Sequence, residues 1–210
     1  MTHAIEAFAA RSREPTPALA QERVFVGKSA ITDHFALFAI GKLARSLERA
    51  VNDGSFLDAR ADVMMGALAA GAAFGTAGTA AAHAIQYPIG TITHTAHGLG
   101  VACMMPYVMA YNRPAITSEL ACIAREMGET GEDEAALADA AVRAVKSLID
   151  RIGIAPDLRT LGLPEERLAW TGEQALTIGR LIDNNPRALD AAGMDRLLRD
   201  AFDGRLDLVG

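Results

Sequence analysis

The chain is poor in the features that mark membrane, secreted or nucleic-acid-binding proteins. No window reaches the ~18 consecutive apolar residues of a membrane-spanning helix. The nearest, Met64 to Ile85, is rich in Ala, Gly and Thr and carries His83. The N-terminus shows no basic stretch followed by an apolar one, so no secretory signal is expected. The only two cysteines, Cys103 and Cys122, sit in apolar segments and read as buried free thiols, which fits a reducing, cytoplasmic setting. With 20 Lys and Arg against 26 Asp and Glu, the net charge is -6, so the clustered cations that neutralise a phosphate backbone are missing. Nucleic acid is not an expected partner. No glycine-rich phosphate loop and no strand-helix-strand unit is visible, which leaves no dinucleotide site in this sequence.

What is present is a chain of 210 residues, 50% hydrophobic though only 5% aromatic, enough to bury a sizeable core. Most of it reads as helix. From Thr32 to Val51, residues Phe35, Phe38, Ile40, Leu43, Leu47 and Val51 recur at helical spacing, and Asn52 to Gly54 end the run. Leu137, Ala141, Val145, Leu148, Ile149 and Ile152 repeat the pattern from Asp133, with Gly153 just past the end. A last helix is predicted from the N-cap Asp190 to the stop at Gly204. Shorter ones are predicted over Ala4–Arg11, Leu57–Phe74, Leu99–Tyr111 with a bend at Pro106, Ile116–Met127 and Gly172–Ile182. Loops are expected at Ser12–Pro17, Gly153–Pro164 and Asn184–Arg187. Val24 to Val26 is the one short extended candidate. Residues 1–210 therefore read as a single all-α domain.

Of the five histidines, His83, His94 and His97 fall within HAIQYPIGTITHTAHGLG, while His3 and His34 lie apart. Pro88 and Gly90 are expected to break the helix between His83 and His97, which lets two imidazoles leave different elements and converge. Convergent neutral imidazoles are what a divalent transition metal requires. Taken alone the spacing is not one of the short metal motifs, and a hydrogen-bonded core or surface histidine is the alternative at each position.

THAIEAF at Thr2–Phe8, GAAFGTAGTAAAHAIQYPIG at Gly71–Gly90, THTAHGLGVACMMPYVMAYN at Thr93–Asn112 and DNNPRALDAAGMDRLLRDAFDGR at Asp183–Arg205 together resemble the iron-containing alcohol dehydrogenases. The resemblance runs the whole chain in order. It implies a helical bundle equivalent to the C-terminal domain of the dehydroquinate synthase-like, iron-containing alcohol dehydrogenase fold. It also implies metal ligands at His3, His83 and His97, with Fe2+ the family's ion and Zn2+ an alternative. The family's fourth ligand, an Asp four residues before the first of these histidines, falls ahead of Met1. The nucleotide-binding domain that precedes this half in the family is absent too, so the resemblance points to a truncated dehydrogenase. Where the family often has a second His, this chain has Tyr87, assigned to the substrate pocket or else to the core beside Pro88. His94 is a candidate cleft residue, with a surface position as the alternative, and His34 has no role. Glu6, one turn after His3, reads either as a substitute carboxylate ligand or as a solvated helix-face residue.

The activity implied is interconversion of alcohols with aldehydes or ketones by metal-polarised hydride transfer. NAD or NADP is expected only with the missing domain. The competing reading is a non-catalytic helical remnant with an empty or adventitious metal site. A metal-dependent phosphohydrolase ranks last, because its adjacent His and Asp occur only as Asp33 and His34 in reversed order. Exposure of a cleft wall is expected to drive association with a second copy or with a separate nucleotide-binding domain. The Met104, Met105 and Met109 segment and the Gly66–Ala82 run are candidate contact faces, with plain core as the alternative.

Overall fold

In the computed structural model, which describes residues 1–206 and 208, every regular element is helical and no strand occurs among the described residues. The helices are α1 (Thr2–Ala9), α2 (Leu19–Glu22), α3 (Ala30–Asn52), α4 (Leu57–Ala77), α5 (Ala81–Thr93), α6 (His97–Asn112), α7 (Thr117–Glu126), α8 (Glu134–Arg151), α9 (Leu158–Leu161), α10 (Leu168–Leu176), α11 (Gly179–Ile182) and α12 (Ala191–Asp203). Val24 to Val26 pairs with no strand; Val26 donates its amide to the Thr76 carbonyl. Among the described residues no single helix is long and apolar enough to cross a membrane.

Local chemistry accounts for the long helices. Ser29 and Thr32 bond reciprocally at the start of α3, each side chain accepting from the other's amide. Asp133 caps α8 through the Ala135 amide, and Asp190 caps α12 through the Gly193 amide at 2.7 Å. Gly204 then ends α12 in the left-handed conformation. The predicted Gly172–Ile182 helix is instead two pieces, α10 and α11, parted at Thr177 and Ile178.

Packing divides the molecule into two styles. α3 and α4 form an antiparallel hairpin joined by Asp53–Phe56, and they approach closely because small residues line the seam: Ala36 and Ala39 on one helix, Gly66, Ala69 and Ala73 on the other. A Cβ on Gly66 would stand 2.8 Å from Leu43 Cγ. Around α5 and α6 the core is bulkier, with Ile85, Ile89, Met104, Met105, Tyr107 and Met109 all buried, and α7, α8, α10 and α12 close over it. Full burial of such side chains contributes roughly 1.5–3 kcal/mol each. The methionines of α6 are thus core. Exposed apolar residues group on the hairpin, as Ile31, Phe35 and Phe38 on α3 and Met64, Met65 and Leu68 on α4, while Leu99 is exposed in the first turn of α6.

The α5–α6 connection departs from the sequence expectation. Pro88 and Gly90 lie inside α5, which runs unbroken to Thr93, and Pro106 likewise lies inside α6. A proline removes the bond to the carbonyl four residues back, here that of Ala84, and crowds that carbonyl with its ring, and burial of Ile85, Pro88 and Ile89 offsets the cost. The break comes at His94, at φ 54 the one non-glycine residue in the left-handed region among those described, with its amide on the Gly90 carbonyl. The chain reverses there and lays α6 back along α5. The two helices touch where buried Gln86 fills the space over Gly100; a Cβ there would fall 1.7 Å from Gln86 Oε1.

Candidate metal centre

Three elements converge at the N-terminal end of α5. α1 packs against α3 and α4 and touches α6 and α7, burying Ala4, Ile5, Ala7 and Phe8, so this short helix is held by packing along its length. α4 stops at Gly78, whose φ of 85 only glycine takes freely, and α5 leaves at 103° to it. Asn184, fully buried, donates from Nδ2 to the carbonyls of Ala77 and Thr79 at 2.9 and 3.1 Å and so straps this corner from the far end of the chain. Beside it Asn185 and Asn112 exchange amide hydrogen bonds, and Arg187 donates to the Tyr111 carbonyl. The DNNPR segment is therefore a strut behind the corner.

Within that corner His3 and His83 meet, their Nε2 atoms 3.2 Å apart. His3, half-buried, also has its ring 4.5 Å from that of Phe74. His83 is buried in the first turn of α5. His97 is the first residue of α6, exposed, with its ring centre 5.3 Å from that of His83. Tyr87, one turn along α5 from His83, is 47% exposed, and its ring lies 6.1 Å from His97 on the open side of the group. His94 is exposed; its backbone makes the turn that returns the chain to His97. His34 lies on α3 beside Phe35, away from the group. Among the described residues no three His, Cys, Asp or Glu side chains are jointly placed to hold an ion, so the arrangement is a facing pair with a third imidazole beside it.

Neither reading of Glu6 made from the sequence matches its position. It is 3% exposed and belongs to no solvated face. Its Oε2 lies 2.5 Å from His83 Nδ1 and accepts from the Ala80 amide at 2.8 Å, while Oε1 accepts from the Ala82 amide at 2.7 Å. The carboxylate therefore does for α5 what a local cap residue usually does, at the helix end that favours negative charge. A hint was available in the sequence: α5 begins after Ala80, which has no capping side chain, and Glu6 is three residues from His3, one helical turn away.

Burial pushes the His3 imidazolium down to about 4, and the neighbouring His83 adds to the effect. Burial lowers His97 as well, again helped by His83. At neutral pH these rings are neutral and carry a free lone pair, the state in which imidazole binds a cation.

Residues 1–202 match the Fe-containing alcohol dehydrogenase family, C-terminal, and the chain belongs to that family. It is 32% identical over 208 residues to the long-chain-alcohol dehydrogenase 1 of Geobacillus thermodenitrificans, covering 98% of this chain and 49% of that protein. It is 33% identical over 204 residues to the 1,3-propanediol dehydrogenase of Klebsiella pneumoniae, covering 96% and 49%. The crystal structure of a 1,3-propanediol oxidoreductase superimposes with a TM-score of 0.85 at 33% identity, over 96% of this chain and 49% of that one. An alcohol dehydrogenase from Oenococcus oeni gives 0.84 at 27% identity, over 96% and 49%. The chain spans about half the length of the curated relatives it matches.

Proposed function

We propose that residues 1–210 form one helical unit supplying the metal- and substrate-binding half of an NAD(P)-dependent alcohol dehydrogenase, which oxidises alcohols and reduces aldehydes or ketones once joined to a nucleotide-binding half. The observation that carries this reading is the His3–His83 contact. Two imidazole nitrogens sharing an ion at ~2.1 Å stand roughly 3.4 Å apart, and the 3.2 Å between the two Nε2 atoms is of that size. His97 lies next to the pair and is exposed, so its ring is free to turn toward it. Imidazole nitrogen as a donor suits both the iron of the family's name and Zn2+.

When bound, a divalent cation supplies a Lewis acid that lowers the pKa of an alcohol and polarises a carbonyl. The chain's own residues bind and orient. His3 and His83 hold two directions of approach, and His97 marks the open side on which a small alcohol or carbonyl substrate enters. Tyr87, exposed beside His97, presents a phenol that donates a hydrogen bond to the substrate oxygen or passes a proton to solvent. The nicotinamide, as hydride acceptor, belongs to the partner half.

A helical remnant with adventitious metal is the second reading. What favours it is that the third imidazole stands apart from the facing pair. Metal analysis after exhaustive dialysis separates the two. The dehydrogenase reading expects one equivalent of Fe2+ or Zn2+ retained by the full chain and lost in His97→Ala, whose exposed side chain leaves the core untouched. No retained ion at any metal supply overturns it.

A further inference from the structure

We infer that Glu6 is a positioning residue that fixes which nitrogen of His83 faces the cleft. The inference concerns the same site and rests on the metal-binding reading for its consequence, though its geometry does not. Three donors converge on this one buried carboxylate: the amides of Ala80 and Ala82 and Nδ1 of His83. A carboxylate accepts and cannot donate, so the His83 proton resides on Nδ1 and the Nε2 lone pair points at His3. The ring is also gripped at both ends, since the backbone of α5 that carries it is capped by the carboxylate that holds its Nδ1. With both rings neutral, the 3.2 Å contact between the two Nε2 atoms in the cation-free protein has His3 Nε2–H donating to His83 Nε2. His3 and His83 would hold a cation in place of that hydrogen. The His3 Nε2–H bond would then break, its proton passing to water while His3 Nδ1 takes one from water, so neutral His3 would end with the same number of protons. His83 needs no rearrangement, because Glu6 has already set it. Carboxylate support of this kind raises the basicity of a ligating imidazole.

The test uses the full chain, stripped with a chelator, and reads the ring nitrogens by long-range proton–nitrogen NMR. The wild type should show His83 protonated at Nδ1 only and His3 at Nε2. In Glu6→Gln, which keeps the shape and one of the two acceptor oxygens, His83 should become a mixture of tautomers. Its Zn2+ affinity by calorimetry should fall ~10–100-fold, with an unchanged far-UV circular dichroism spectrum. A wild-type His83 without its proton on Nδ1 overturns the proposal, whether or not the variant folds. So does a variant that keeps the wild-type tautomer, or one that changes tautomer with Zn2+ affinity within about twofold of the wild type. Wild-type chain that binds no Zn2+ while the variant still loses the tautomer sinks the metal reading alone and leaves the positioning role standing.

Discussion

The α1–α5 corner and the α3–α4 hairpin solve the same problem, bringing two helices together, by opposite means. In the hairpin, small side chains let two backbones come close, and the side-chain hydrogen bonds between them gather on one residue, Asp62 of α4, which accepts from Lys42 and Ser46 of α3. In the corner, a carboxylate, two imidazoles and an asparagine amide meet among buried groups, and each has a named partner. Apolar seams tolerate small shifts, whereas hydrogen bonds to a buried carboxylate weaken steeply with distance and angle. The difference teaches where positional accuracy resides in this fold. The corner is specified atom by atom, and the hairpin by volume.

That contrast is open to attack, beginning with its strongest point. Glu6→Ala leaves the Ala80 and Ala82 amides and His83 Nδ1 without their acceptor, and the cost expected is about 3–5 kcal/mol. In a chain of this length that lowers Tm by roughly 10 °C, measurable by calorimetry; a fall of a degree or two would mean that the corner is held by packing like the hairpin. Gly66→Val overfills the seam against Leu43, for an expected loss of about 1–3 kcal/mol. Zn2+ affinity should stay unchanged, and a parallel loss of metal binding would show that the two regions are coupled. Acid should act on the corner first. His3 is lowered from 6.5 to about 4, so across that window the unfolded chain takes up a proton that the folded chain refuses. Stability should therefore fall as pH drops below 6.5 and level off below about 4, less steeply in His3→Gln. A urea series at stepped pH reads this, and a flat profile counts against burial of that ring. The smallest effect is expected at Leu68, 70% exposed on the outer face of the hairpin. Leu68→Lys should move stability by less than ~0.5 kcal/mol while raising solubility, and a large loss would mean that this face is covered in solution.

How much of this was legible beforehand follows from the range over which each cause acts. The ends of α8 and α12 are written within a few residues, in Asp133 with Gly153 and in Asp190 with Gly204, and the structure places them as read. The three histidines of the metal reading stand out because three family motifs carry them, and the all-helical class follows from periodicity. The path between His83 and His97 was misplaced because a proline's local penalty is overridden by burial on α5, a term invisible without the neighbouring helices. The role of Glu6 was hidden for a related reason. Its partners lie at Ala80, Ala82 and His83, and no rule of local spacing links a carboxylate to amides more than seventy residues away. The exposed stripe on α3 and α4 escaped notice because sequence hydropathy does not say which apolar run finds a neighbour.

The Asn184 strap has a consequence for how the chain comes into being. Synthesis releases the histidines of this site well ahead of Asn184, and the carbonyls of Ala77 and Thr79 wait for its amide. Until then the corner has its chemistry without its buttress. A ribosome stalled short of that asparagine would hold a nascent chain whose two corner carbonyls still face water.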